Sequence, residues 1–258
     1  MQITWLGTAG FKITTGGDSF LIDPYLTRNK KARPVQTLGP RDLGPAGRIF
    51  ISHGHFDHLL DAPAVAAETK ALVYCDPVAA SVLVREGLSP DRIVTVERDG
   101  QEFEGGAFRA KALFSRHVKF DKPLVLKTLV RAHVRLPRCL KLLKQYPAGQ
   151  VLAWRFSLEG RTLLHFGSAG SAPGELERLA QDPPEVLMVP LQGHTHICRL
   201  ALEYVRVLQP ACVIPHHHDD FYPPVSQMVD ISPFVEGTAG VAPRTKVVVP
   251  ELNQPFTV

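Results

Sequence analysis

The 258-residue sequence predicts a mixed α/β fold with strands and hairpins in both halves. Three observations predict it. Short β-rich runs separated by glycine turns fill the first third. Helical periodicity then interrupts them. The same mixture of strands and helices returns after residue 150. The regular strand–helix alternation of a doubly wound sheet is absent.

Residues 1–6, 11–15 and 19–22 are β-rich, and Gly7-Thr-Ala-Gly10 and Gly16-Gly17-Asp18 between them predict hairpin turns. Residues 48–52 form a further apolar run. Residues 62–69 and 78–86 carry a helical pattern, with Pro63 and Pro77 suited to first turns. A strand at 71–75 lies between them. Strands resume at 93–96, 102–103, 107–114, 151–158 and 161–166. Residues 173–181 predict a helix, 186–189 a strand, 195–208 a helix, and 211–214 and 246–249 two last strands.

Apolar residues make up 45% and charged residues 21%, which excludes collagen-like, coiled-coil and wholly disordered chains. No run approaches the roughly 18 apolar residues a membrane span needs. The first residues show no basic segment followed by an apolar one, so no signal peptide is expected. Cys75, Cys139, Cys198 and Cys212 are far apart and form no CxxC pair, which predicts reduced thiols and a cytoplasmic location.

The net charge of +4 is unevenly spread. Residues 119–144 hold eight basic groups and one acid, +7, so the rest of the chain carries −3. Lys127, Arg131, Arg135 and Arg138 recur at spacings of 4, 4 and 3, which places them on one helical face. Leu126, Leu129, Val130 and Val134 lie mostly off that face. Pro137 predicts a split into two short helices. Such a segment is either a solvated helical lid or dimer contact, or a guide for phosphate groups, anionic lipid headgroups or nucleic acid. Nucleic acid ranks last, because no aromatic residues interleave for stacking.

The strongest chemical signal is Ser52-His53-Gly54-His55-Phe56-Asp57-His58, directly after an apolar strand. Three imidazoles and a carboxylate at a strand end suit one or two divalent cations, zinc first, with manganese or iron as alternatives. Other apolar runs also end in polar groups: Ser115 leads to His117, Phe166 to Ser168, Pro190 to His194 and His196, and Pro215 to His216, His217 and His218. Nine of the eleven histidines, all but His133 and His165, lie at or just after such ends. Strand ends sharing one sheet edge converge on one site.

The His53-x-His55-x-Asp57-His58 motif resembles the metallo-β-lactamase superfamily of metallohydrolases. Trp5-Leu-Gly-Thr-Ala-Gly-Phe11, Leu21-Ile-Asp-Pro24 and Val213-Ile-Pro-His-His217 are similar to the branch that includes ascorbate-6-phosphate lactonase and N-acylphosphatidylethanolamine-hydrolysing phospholipase D. The resemblance covers about residues 1–118 and 150–250. It implies a four-layer αββα sandwich, a single domain over 1–258, with the basic helical insertion at 119–149. Carried over by position, His53, His55 and His117 bind one metal ion, and Asp57, His58 and His217 the other. A slip of one residue would shift the last ligand to His216 or His218. The family's bridging Asp falls where this chain has Ser168. The resemblance then leaves three outcomes: two ions joined by a bridging hydroxide alone, one ion, or a catalytically degenerate metal- or ligand-binding protein. His194, His196, Asp219 and Asp220 are the residues available to compensate.

The implied reaction is hydrolysis of an ester, lactone or phosphodiester by a metal-bound hydroxide, with a small anionic substrate favoured by the branch. Asp57 would orient or deprotonate the water, and His194 or His196 would stabilise the developing oxyanion. The backbone N–H groups of residues 192–196, which precede a helix, would face an anion. Asp23 is placed close to the metal site. Residues 119–144 would make any peripheral contact with an anionic membrane.

Overall fold

Strand alternation sets the architecture. In the computed structural model, which describes residues 1–132 and 136–258, β1 (Gln2–Gly7), β2 (Gly10–Thr15) and β3 (Asp18–Ile22) form an antiparallel meander. Strands β4 (Arg48–Phe50), β5 (Leu72–Cys75) and β6 (Ile93–Thr95) continue from β3 in parallel. The connections between the parallel strands carry α1 (Phe56–Leu59), α2 (Ala62–Thr69) and α3 (Pro77–Arg85). Asp76 caps α3 by accepting from the N–H groups of Val78 and Ala79.

The second half repeats this plan. β7 (Gln101–Glu104), β8 (Phe108–Ser115), β9 (Val151–Leu158) and β10 (Arg161–Phe166) are antiparallel neighbours. β11 (Val186–Pro190), β12 (Cys212–His216) and β13 (Lys246–Val247) extend the sheet in parallel. Among the described residues each sheet has seven strands, the first completed by β14 (Pro255–Thr257), which pairs back onto β1. The helices of this half are α4 (Lys122–Ala132), α5 (Leu136–Gln145), α6 (Glu175–Leu179), α7 (Ile197–Leu208) and α8 (Ser232–Val241).

Because successive strand residues face opposite ways, each sheet feeds two cores. Phe20, Ile22, Phe50, Trp154, Phe156, Leu163, Met188 and Ile214 meet between the sheets. Their neighbours Leu21, Ile49 and Val73 pack outward against α2 and α3 through Val65, Val82 and Leu83. Ala153, Leu164, Leu187 and Val213 pack outward against α7 and α8 through Tyr204, Val205 and Phe234. Three cores separating four layers give the αββα sandwich expected from the sequence.

The chain leaves the second sheet between the paired strands β8 and β9 to form α4 and α5. The basic face expected across this stretch falls partly outside the described residues. His133, Val134 and Arg135 lie outside the described residues, and Arg138 belongs to α5 while Lys127 and Arg131 belong to α4. Arg131 is spent on the fold: its guanidinium donates to the carbonyls of Pro224 (2.5 Å) and Val225 (2.8 Å). No described helix is long and apolar enough to cross a membrane.

Candidate metal centre

The loops after β4, β8, β10 and β12 close on one another at one edge of the sandwich. β4 ends in the turn that carries His53 and His55, and α1 starts at once, placing Asp57 and His58 in its single turn. β8 delivers His117. The loop after β10 approaches closely because it holds glycines. A Cβ at Gly167 would lie 1.9 Å from Ser52 Oγ, and one at Gly170 would lie 2.2 Å from the His117 carbonyl.

Two groups of ligand atoms result. Those of His53, His55 and His117 lie within 4.8 Å of one another, and so do those of Asp57, His58 and His217. The groups adjoin: the His53 and His58 ring centroids are 3.9 Å apart. Asp57 Oδ2 is 3.3 Å from His217 Nε2 and 3.7 Å from His58 Nε2.

Hydrogen bonds select which ring nitrogen is left for a cation. Asp23 is fully buried. Its Oδ1 accepts from Ser52 N (2.7 Å), and its Oδ2 accepts from Ser52 Oγ (2.5 Å) and His58 Nδ1 (2.8 Å). With its hydroxyl proton given to Asp23, Ser52 Oγ accepts from His53 Nδ1 at 3.0 Å. His117 Nδ1 donates to the Val118 carbonyl at 2.7 Å. All three rings therefore turn an unprotonated Nε2 into the site, as a metal-ligating imidazole requires. The His53 Nε2 so freed stands only 3.2 Å from His55 Nδ1. The donor set of five imidazoles and one carboxylate fits zinc-type cations.

Electrostatics agree at His53, His55 and His117. Burial, then the neighbouring imidazoles, hold His53 well below the ordinary histidine value, and burial lowers His55 to about 4 and lowers His117. Neutral rings are what a cation needs. Burial pushes the Asp57 carboxyl up, but His58 and His217 beside it more than reverse this and hold it well below the usual carboxylate range. His58 is raised: burial lowers it, and Asp23 and Asp57 outweigh that.

Of the three consecutive histidines only His217 enters a ligand group. His216 follows Ile214 by two and so faces the space between the sheets, fully buried and stacked on His165 at 4.9 Å. His218 stacks on Trp5. His217 escapes the alternation through a positive φ of 56°, and its N–H donates to the Thr8 carbonyl at 2.8 Å. Asp219 anchors this turn: both its oxygens accept from Thr8 N, and it pairs with buried Arg28 at 2.7 Å. No motif in the sequence announces Arg28, and Ser52 opens the histidine motif with no role evident from the sequence.

Four residues weighed as compensating groups lie elsewhere. Asp219 is committed to Arg28 and Thr8, and Asp220 accepts from Ser226 Oγ. His194 and His196 belong to neither ligand group. They sit on the loop before α7, whose Gly193 packs against Val118 and Phe120. Two of the N–H groups there are already engaged: Thr195 N donates to Asp121 (2.9 Å) and His196 N to His194 Nδ1 (3.0 Å). Ser168 stands beside His117, where its Oγ accepts from Val118 N at 2.9 Å.

A two-sheet sandwich with paired His/Asp groups at the loops of one edge defines a metal-dependent hydrolase of the metallo-β-lactamase type. The chain belongs to the β-lactamase superfamily, whose domain model matches residues 2–217. A UPF0173 metal-dependent hydrolase of Thermoplasma acidophilum is 28% identical over 265 residues, covering 100% of this chain and 99% of that protein. One from Myxococcus xanthus is 32% identical over 222 residues, 85% of this chain and 71% of the relative. The structure of Igni18, a metallo hydrolase from Ignicoccus hospitalis, superposes with a TM-score of 0.72 at 19% identity, covering 100% of this chain and 98% of that one.

Proposed function

We propose that this metal-dependent hydrolase cleaves an anionic ester, lactone or phosphodiester at a two-ion centre, with zinc as the first choice and manganese or iron as alternatives. The observation that carries the reading is the pair of adjoining ligand groups. His53, His55 and His117 would hold one ion, and Asp57, His58 and His217 the other. When bound, such ions supply Lewis acidity and a water acidified towards neutral pH. Asp57, held ionised, would orient such a water by accepting its hydrogen bond. Asp23 and Ser52 fix the tautomers of His58 and His53. His194, half-buried beside Phe120, and the more exposed His196 are the groups we assign to the substrate side of the site.

The motifs at residues 5–11, 21–24 and 213–217 support a branch acting on phosphorylated or acidic substrates. The excess of basic residues in the segment 119–144, which follows His117 in the sequence, supports an anionic substrate further. We read residues 1–258 as one catalytic unit, with 119–149 inserted in it. The four cysteines are free, which supports a reducing, cytoplasmic setting.

Elemental analysis of the purified protein, with a screen over esters, lactones and phosphodiesters, tests this. His55→Ala and His217→Ala should each abolish metal retention and turnover. Full metal content in the double variant would overturn the ligand assignment.

A further inference from the structure

The insertion is amphipathic in the wrong direction for a helix that packs only on its own protein. In α4 the residues turned to the protein are Leu124, Thr128, Arg131 and Ala132, all buried or half-buried. At about 100° per residue, the opposite arc is centred near Leu126. That arc is mostly apolar: Leu126 is 64% exposed, and Leu129 and Val125, also exposed, lie to one side of it, with Lys122 between them and Leu126. Phe120, 54% exposed just before α4, and Leu140 and Leu143 on α5 extend the apolar surface. Most of the exposed large hydrophobic residues of the described chain therefore fall within residues 120–143, in a segment carrying the protein's excess positive charge.

Charge decides what covers this surface. Lys119, Lys122 and Lys127 on one side and Arg138, Lys141 and Lys144 on the other are exposed, and none forms an ion pair with a described residue. A second copy of the chain would bring two segments of +7 face to face. A nucleic acid would satisfy the charge and leave the leucines in water. An anionic lipid surface satisfies both: the apolar arc enters the acyl boundary and the basic groups lie at the headgroups.

We propose that residues 119–132 and 137–144, the described parts of this segment, form a peripheral docking element for anionic membranes. The element is anchored rather than loose. Arg131 ties α4 to the carbonyls of Pro224 and Val225, and Asp121 ties its start to Thr195. Phe120 packs its ring 5.5 Å from His117. Docking would therefore set the mouth of the metal centre against the lipid surface. The inference stands on exposure and charge alone and does not depend on the metal or on the reaction.

Co-sedimentation of the full chain with phosphatidylcholine vesicles, with and without phosphatidylserine, tests it. Binding is expected only with phosphatidylserine, and it should weaken steeply when salt is raised. Lys127→Glu should lower partitioning by about fivefold or more. Leu126→Ser with Leu129→Ser should abolish binding at low salt without changing the thermal midpoint, because both side chains are exposed. Absence of binding to anionic vesicles overturns the proposal. So does binding that survives the serine pair. Concentration-dependent dimerisation lost in the serine pair, without vesicle binding, would assign the surface to a second copy instead.

Discussion

Replacing Asp23 by Asn keeps the shape of the side chain and inverts its hydrogen bonding. In the native protein the two oxygens of Asp23 accept from Ser52 N, Ser52 Oγ and His58 Nδ1. An amide supplies only one accepting oxygen. If that oxygen keeps Ser52 N, the NH2 group faces His58 Nδ1 and Ser52 Oγ. His58 must then accept at Nδ1 and carry its proton on Nε2, the nitrogen that faces Asp57 and His217. A protonated Nε2 cannot ligate a cation. Loss of such an outer partner costs roughly 10–100-fold in metal affinity, about 1.4–2.7 kcal/mol. The loss should fall on the group of Asp57, His58 and His217. Zinc titration against a competing chelator resolves the two affinities, and circular dichroism confirms the fold. An Asp23→Asn protein that folds normally and binds both ions with native affinity would refute the tautomer argument.

Ser168→Asp places a carboxylate at the Val118 N–H, next to His117, and adds negative charge on that side of the site. It should tighten the weaker of two ions by at least tenfold, read by the same chelator competition, and unchanged binding would show that residue 168 does not face the ions. Glu175 is buried, and burial raises its carboxyl from an ordinary value near 4.5, with the Ala172 N–H and Ser115 hydroxyl only partly offsetting this. An acid raised in the folded state holds its proton there after the unfolded chain has lost it. Its contribution to stability is therefore greatest at acid pH and falls as pH rises from near 4.5 through the raised value. In denaturant titrations over a pH series, Glu175→Gln should remove that part of the slope; an identical pH profile in both proteins would contradict it.

The strands and the α2 and α3 helices were legible because two-sided burial writes long apolar runs with clear punctuation. The metal motif was legible because four of its six candidate ligands, His53, His55, Asp57 and His58, are local. What escaped depends on partners distant in sequence. Nothing local marks α8, whose Gly237, Gly240 and β-branched residues disfavour a helix; it forms because Phe234 is buried against α7. β14 is three residues long and exists only as a ladder on β1. The strand-end rule collected nine histidines but could not sort them. Sorting needs the alternation of β12, which sends His216 inward, and the positive φ that returns His217 to the site. The basic periodicity misled in one respect, since a spacing of four does not reveal that Arg131 has carbonyl partners nearly a hundred residues away.

Each ligand group draws two members from the first sheet's half and one from the second: His53 and His55 with His117, Asp57 and His58 with His217. Neither half holds a complete coordination set. A bound ion would thus be a clamp across the sandwich, and its binding free energy would count toward holding the halves together. Arg28 and Asp219 draw the same line in the protein's own charges, one residue from each half, with both side chains buried. Metal occupancy in this protein would therefore report on assembly of the two halves as directly as on readiness for hydrolysis.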